Sequence, residues 1–185
     1  MALINSEFSK LKHGDTAPDF SLVGVDGKTY KLKEIKAKAY LIVFMCNHCP
    51  YVVPKIPELN RISLYYKEKG LAVIGINSNE DKNYPDDSFD NMKKYAKEWK
   101  LNFLYLRDET QETAKAYGAV CTPDPFLFDT NLKLIFHGRI DDTHKDNPAK
   151  RHELYEAIGQ FLDSGKITVK EAPTMGCSIK WKYEE

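Results

Sequence analysis

The sequence predicts a single α/β domain, a central mixed β-sheet flanked by helices, and three observations point to it. The chain has 185 residues, 42% of them apolar, which supports one full core but not two ordinary domains. The run Tyr40 to Met45 is continuously apolar, as a strand buried on both faces requires, and helically spaced apolar residues follow it before a second apolar run, Leu71 to Ile76. A hairpin pattern between Phe126 and Phe136 adds antiparallel pairing to these parallel strands. No internal repeat, low-complexity tract or flexible linker interrupts the pattern.

Taken in order, Asp26-Gly27 reads as a turn leading into a short strand, Thr29 to Leu32. After the strand Tyr40 to Met45 comes Cys46-Asn47-His48-Cys49-Pro50, then a helix over Tyr51 to Lys69 with Val52, Val53, Ile56, Leu59, Ile62 and Tyr66 on its apolar side. Gly70 is placed for a left-handed cap, and Pro50 suits the first turn; Pro54 and Pro57 bend the helix unless they too lie near its start. With Leu71 to Ile76 as the next strand, a right-handed parallel crossover puts the cysteines at the carboxyl edge of the sheet. Asn79 to Asp87 is a polar loop containing Pro85. Asp90 is positioned to cap a helix running to Lys100, and Phe103 to Leu106 reads as a strand. Thr113 to Tyr117 is a short helix stopped by Gly118. Phe126 to Phe128 and Leu132 to Phe136 flank a turn at Asp129-Thr130-Asn131, and a closing helix, Arg151 to Leu162, ends at Ser164-Gly165. The domain therefore spans residues 1–165, and 166–185 form a tail that packs on it, since Ile179 and Trp181 favour burial.

Composition narrows the function. The 27 basic side chains are balanced by 27 acidic ones, so no long-range field recruits nucleic acid or an anionic membrane surface. Met1 to Asp19 has no apolar stretch of signal-peptide length, and the longest apolar run, Ala39 to Cys46, is too short to cross a bilayer; a cytoplasmic location is expected. Four cysteines are too few for a secreted disulfide framework, which leaves reactive, metal-binding or merely buried roles.

Cys46 and Cys49 stand at a strand-to-helix junction, where free N–H groups and the helix dipole favour thiolate over thiol. Such surroundings bring a cysteine pKa from about 8.5 to between about 3.5 and 7.5, and a second sulfur nearby resolves the mixed disulfide that the thiolate forms. His48, as a cation, stabilises an adjacent thiolate; as a polar loop residue it needs no role.

Ala17-Pro18-Asp19-Phe20-Ser21-Leu22, Asp26-Gly27-Lys28, the cysteine pair after its strand, and Pro123-Asp124-Pro125-Phe126-Leu127-Phe128-Asp129 together resemble the redoxin branch of the thioredoxin superfamily over most of the chain. Within it, Cys-Asn-His-Cys-Pro-Tyr-Val, Cys121-Thr-Pro-Asp and Gly176-Cys177-Ser-Ile-Lys-Trp-Lys are similar to a peroxiredoxin-like thioredoxin-family subgroup. The resemblance implies a thioredoxin-like fold with an N-terminal strand extension and a C-terminal tail. It also implies a cis-proline at Pro123, with Thr122 beside it, facing the active cysteines. The implied activity is thiol-disulfide exchange without a cofactor, on a disulfide-containing protein or small thiol substrate, with electrons from a thiol system.

Two registers fit the resemblance, because a proline lies eight residues after each cysteine: Pro54 after Cys46 and Pro57 after Cys49. The first makes Cys46 the nucleophile and Cys49 its resolving partner. In the second, Cys49 attacks, Val52 occupies the resolving position and Cys46 is an upstream partner; the short step from Phe44 favours this one. A typical peroxiredoxin has Thr or Ser three residues before its reactive cysteine, where this chain has Cys46, so a peroxidase using Cys49, with Arg139 as its arginine, is the nearest alternative. Arg139 has an equally simple use as an ion-pair partner of Asp141 or Asp142. Cys121 and Cys177 are possible extra thiols, the first near Pro123 and the second in the tail. A zinc site drawing on Cys46, His48, Cys49 and either Cys121 or Cys177 lacks a second paired motif, and a non-catalytic peptide-binding module leaves the cysteine pair unused.

Overall fold

The computed structural model describes residues 3–8, 10–143 and 148–182; the ends of the expected domain and tail, 1–2 and 183–185, lie outside the described residues. The strands are β1 (Leu3–Asn5), β2 (Ser21–Gly24), β3 (Thr29–Lys31), β4 (Ala39–Phe44), β5 (Leu71–Asn77), β6 (Leu104–Arg107), β7 (Cys121–Thr122), β8 (Asp124–Asp129), β9 (Leu134–His137) and β10 (Met175–Ser178). The helices are α1 (Ile56–Tyr66), α2 (Phe89–Glu98), α3 (Glu112–Tyr117) and α4 (Glu153–Ser164). Among the described residues, no helix is long and apolar enough to cross a membrane.

One sheet has seven strands in the order β3-β2-β6-β5-β4-β8-β9, and a second has three, β1-β10-β7. β4 is central to the larger sheet, parallel to β5 and antiparallel to β8. Its alternation divides the core. Ala39, Leu41, Val43 and Met45 pack with Leu59 and Ile62 of α1 and Ile158 of α4. Tyr40, Ile42 and Phe44 face the opposite way, onto Phe126, Phe128 and Tyr117. All six β4 residues are buried, as a continuous apolar strand demands.

Several boundaries differ from expectation for local reasons. The helix expected from Tyr51 starts at Ile56, because Pro54 falls in a 3-10 turn over Val53–Lys55 and Pro57 occupies the first turn of α1. It ends at Tyr66, and Gly70, at φ +101°, closes the following turn. Ser88, not Asp90, caps α2, accepting from the Asn91 N–H at 3.4 Å, and Asp90 sits in the first turn. β9 begins at Leu134 instead of Leu132, since Asp129 Oδ1 accepts from the Asn131 and Lys133 N–H groups and lengthens the turn.

The segment expected as a tail contributes β10, the middle strand of the smaller sheet. Thr174 and Ser6 exchange hydrogen bonds at one end, and the Ile179 N–H donates to Val120 O at the other. Gly176 makes this close packing possible: a Cβ there would overlap the Thr122 carbonyl oxygen. Gly176→Ala is therefore expected to lower stability by about 1–3 kcal/mol, measured by urea unfolding; an unchanged midpoint would show that β10 gives way freely.

Candidate active site

The active-site loop begins where β4 ends. Cys46 lies just past Phe44, and the carbonyl of Cys49 accepts from the Val52 and Val53 N–H groups at 3.0 and 3.1 Å, so Cys49 opens the turn that leads into α1. Opposite stands the β7 to β8 junction, where the Thr122–Pro123 peptide is cis. Cys46 Sγ is 3.2 Å from Thr122 Oγ1, and Cys49 Sγ is 3.4 Å from Thr122 O. β10 lies alongside, with Cys177 in register with Thr122. The three sulfurs of Cys46, Cys49 and Cys177 belong to one buried cluster, Cys49 having no exposed surface. All four cysteines are free thiols.

The sulfurs are not equivalent. A hydrogen bond from Cys46 is the main influence drawing the Cys49 pKa down to about 5; burial opposes it, while the Cys177 thiol and N–H and the Tyr51 N–H at 3.4 Å assist. Cys46 is pushed well above its usual value by burial and by donating to Cys49. Burial likewise raises Cys177, to about 12, with its bond to Cys49 adding to the effect. These shifts favour a thiolate on Cys49 over one on Cys46 or Cys177. Burial raises Cys121 far above the usual thiol range, and it stays a thiol inside the fold.

His48 does not lie free on the surface. Its ring stacks on Tyr84, and Nδ1 stands 2.7 Å from Asp87 Oδ2, an ion-pair contact without the alignment of a good hydrogen bond. The Asp87 carboxylate raises the His48 pKa above 6.5; partial burial and Lys180 oppose it, and the Cys49 charge reinforces it. Asp87 is fully buried, which by itself raises its pKa. Its contact with His48, together with hydrogen bonds from the Asn47 N–H (2.7 Å) and Asn79 Nδ2 (2.8 Å), more than compensates and holds it ionised. Asn77 Nδ2 also donates to Asp87, at 3.1 Å, and Tyr105 donates its hydroxyl to Asn47 Oδ1 at 2.8 Å.

Asp87, Asn77, Asn79 and Tyr105 were absent from the sequence-based site. Asn79 and Asp87 bound a polar loop after a central strand, a signal that gives no hint of its partner, and Asn77 and Tyr105 lie within strands β5 and β6 with no signal of their own. The zinc set considered and disfavoured from sequence is not the group that forms: among the described residues Cys46 and His48 group with Asp87, their ligand atoms within 4.8 Å of one another. Both Asp87 oxygens already accept from the chain's own amides. Arg139 pairs with neither Asp141 nor Asp142 but with Glu153 Oε1, through Nε at 3.0 Å and Nη2 at 2.6 Å, while Asp141 is taken by Lys55.

In an imidazole NMR titration, the His48 midpoint is expected above 6.5, and Asp87→Asn is expected to lower it by removing the charge that favours the cation. An unchanged midpoint in that variant would show that Asp87 does not govern His48.

The family model of the AhpC/TSA family matches residues 13–137. The thiol-disulfide oxidoreductase ResA of Bacillus cereus is 29% identical over 130 residues, covering 70% of this chain and 71% of that protein. A crystal structure of an uncharacterized conserved protein from Geobacillus kaustophilus superposes with a TM-score of 0.93 at 42% identity, covering 100% of this chain and 99% of the other. The thioredoxin domain of a thiol-disulfide oxidoreductase from Bacteroides vulgatus gives 0.65 at 21% identity, covering 82% of this chain and 99% of the other, a likeness of fold.

Proposed function

The chain belongs to the AhpC/TSA family, and we propose that it acts as a thiol-disulfide oxidoreductase whose attacking group is the Cys49 thiolate. The observation that carries this reading is the placement of Cys46, Cys49 and Cys177 against the cis Thr122–Pro123 junction, with the pKa lowered at Cys49 and raised at the other two. Cys49 attacks one sulfur of a substrate disulfide, and the other leaves as a thiolate, which takes up a proton. Cys46 then loses its proton and attacks Cys49 Sγ, releasing the rest of the substrate and leaving a 46–49 disulfide. A dithiol donor reduces that disulfide and returns the site to its starting state. No cofactor enters the cycle.

Stabilising the thiolate stabilises the reduced protein and makes Cys49 a good leaving group, so the pair is oxidising relative to an unperturbed dithiol. His48, whose pKa Asp87 raises, reinforces this when protonated, from the loop between the two cysteines. Because Cys49 is wholly buried, a substrate reaches it only after its cover moves. Tyr51, Pro123 and Met175 line a small gap of about 10 Å³ beside the site, too small to admit a substrate segment until that cover shifts.

Peroxide reduction by the same thiolate is the competing reading. Its arginine is already occupied by Glu153, and Cys46 stands where that chemistry uses a hydroxyl.

Cys49→Ser is expected to lower reduction of insulin disulfides by about three orders of magnitude or more, as loss of a covalent nucleophile does. Cys46→Ser should still form the mixed disulfide. Activity kept in Cys49→Ser but lost in Cys46→Ser would reverse the roles. Peroxide turnover exceeding disulfide turnover in the unaltered protein would favour the competing reading.

A further inference from the structure

The turn after Cys49 lacks a feature the cycle ordinarily uses. Three residues on, where a resolving thiol would sit in the first turn of the helix, stands Val52, fully buried and without a reactive group. A further cysteine of the same buried cluster, Cys177, comes instead from β10. Cys177 is in register with Thr122 on β7, whose carbonyl oxygen is 3.4 Å from Cys49 Sγ, and both cysteines are buried in the same core cluster. It is not carried on a loose end. β10 is clamped upstream by Ser6 and Thr174, and downstream the Lys180 carbonyl accepts from the Glu80 N–H at 2.8 Å and from Gln111 Nε2 at 2.8 Å. The Lys180 N–H donates to Asn79 Oδ1 at 2.9 Å, which ties the strand to the residues that hold Asp87.

We propose that Cys177 is a second resolving thiol, which converts the Cys49 mixed disulfide into a Cys49–Cys177 disulfide. This rests on Cys49 being the nucleophile. After Cys49 has attacked a substrate disulfide, the expelled thiolate takes the proton of Cys177. The Cys177 thiolate attacks Cys49 Sγ, the Cys49–Cys177 bond forms, the bond from Cys49 to the substrate breaks, and the second substrate sulfur leaves as a thiolate. The substrate disulfide gains two electrons, and Cys49 and Cys177 lose them. The product covalently joins β10 to the active-site loop, whereas the 46–49 product leaves the strand free of the loop. The protein thus has two oxidised forms that differ in whether its cover is fastened.

The test uses oxidised glutathione as the disulfide probe on the full chain carrying Cys46→Ser, with and without Cys177→Ser, followed by disulfide mapping under non-reducing conditions. Cys46→Ser is expected to pass through the Cys49–glutathione adduct to a 49–177 disulfide that dithiothreitol reverses, and the double variant to keep the adduct at least about tenfold longer. Cys177→Ala in place of Cys177→Ser is expected to give the same retention, which guards against a folding defect specific to one replacement. An adduct equally long-lived with and without Cys177, or a 49–121 link, would overturn the proposal and leave Cys49 as nucleophile. Absence of any adduct on Cys49 in the double variant would overturn both.

Discussion

The site depends on placing a negative sulfur where water does not reach. An unpaired charge in such a place is strongly disfavoured, so a thiolate on Cys49 needs donors to replace water, and Cys46, Cys177 and the Tyr51 N–H are the groups that lower its pKa. Each donor comes from a different stretch of chain. Cys46 comes from the end of the central strand, Tyr51 from the turn that starts α1, and Cys177 from the last strand. Burial does two opposite things here. It keeps the donors protonated, which makes them donors, and it penalises the charge they surround. The balance falls on the side of the thiolate because hydrogen bonds to an ion are stronger than those between neutral groups.

That arrangement needs the loop from Cys46 to Pro50 to be rigid. Its backbone is pinned by Asp87, which accepts from the Asn47 N–H, and its side chains by Tyr105 and by the Asp87–His48 pair. Asp87 is in turn held by the amides of Asn77 and Asn79, at and just beyond the carboxyl end of β5, the strand that pairs with β4. The parallel β4-β5 pair therefore fixes both the cysteines and the carboxylate beneath them, and β10 seals the assembly from above through the close approach of Gly176 to Thr122.

Much of this frame is legible in the sequence because it is encoded locally. The continuous apolar run of β4, the turn at Asp26-Gly27, and Gly118 and Gly165 as left-handed stops at the ends of α3 and α4 each depend on a few neighbouring residues. The cysteine pair is legible as chemistry, and the Thr122–Pro123 loop through its resemblance to related chains. What sequence did not reveal is long-range. Asp87 looks like any loop acid until β5 and α2 place it under His48. Cys177 sits in a four-residue strand with no apolar alternation of its own, since its partners are main-chain groups of β1 and β7. Ser88 and Asp90 are both competent caps, and only the path of the chain out of the 3-10 turn at Pro85–Asp87 selects between them.

The central claim is that Cys49 is the one thiolate of the resting site, and ultraviolet thiolate absorbance followed against pH tests it most directly. The reduced protein is expected to show one thiolate step near pH 5, absent from Cys49→Ser and displaced upward in Cys46→Ser, where the principal donor to Cys49 is altered. Steps only near the ordinary thiol value of about 8.5, or a low step that survives in Cys49→Ser and disappears in Cys46→Ser, would contradict it.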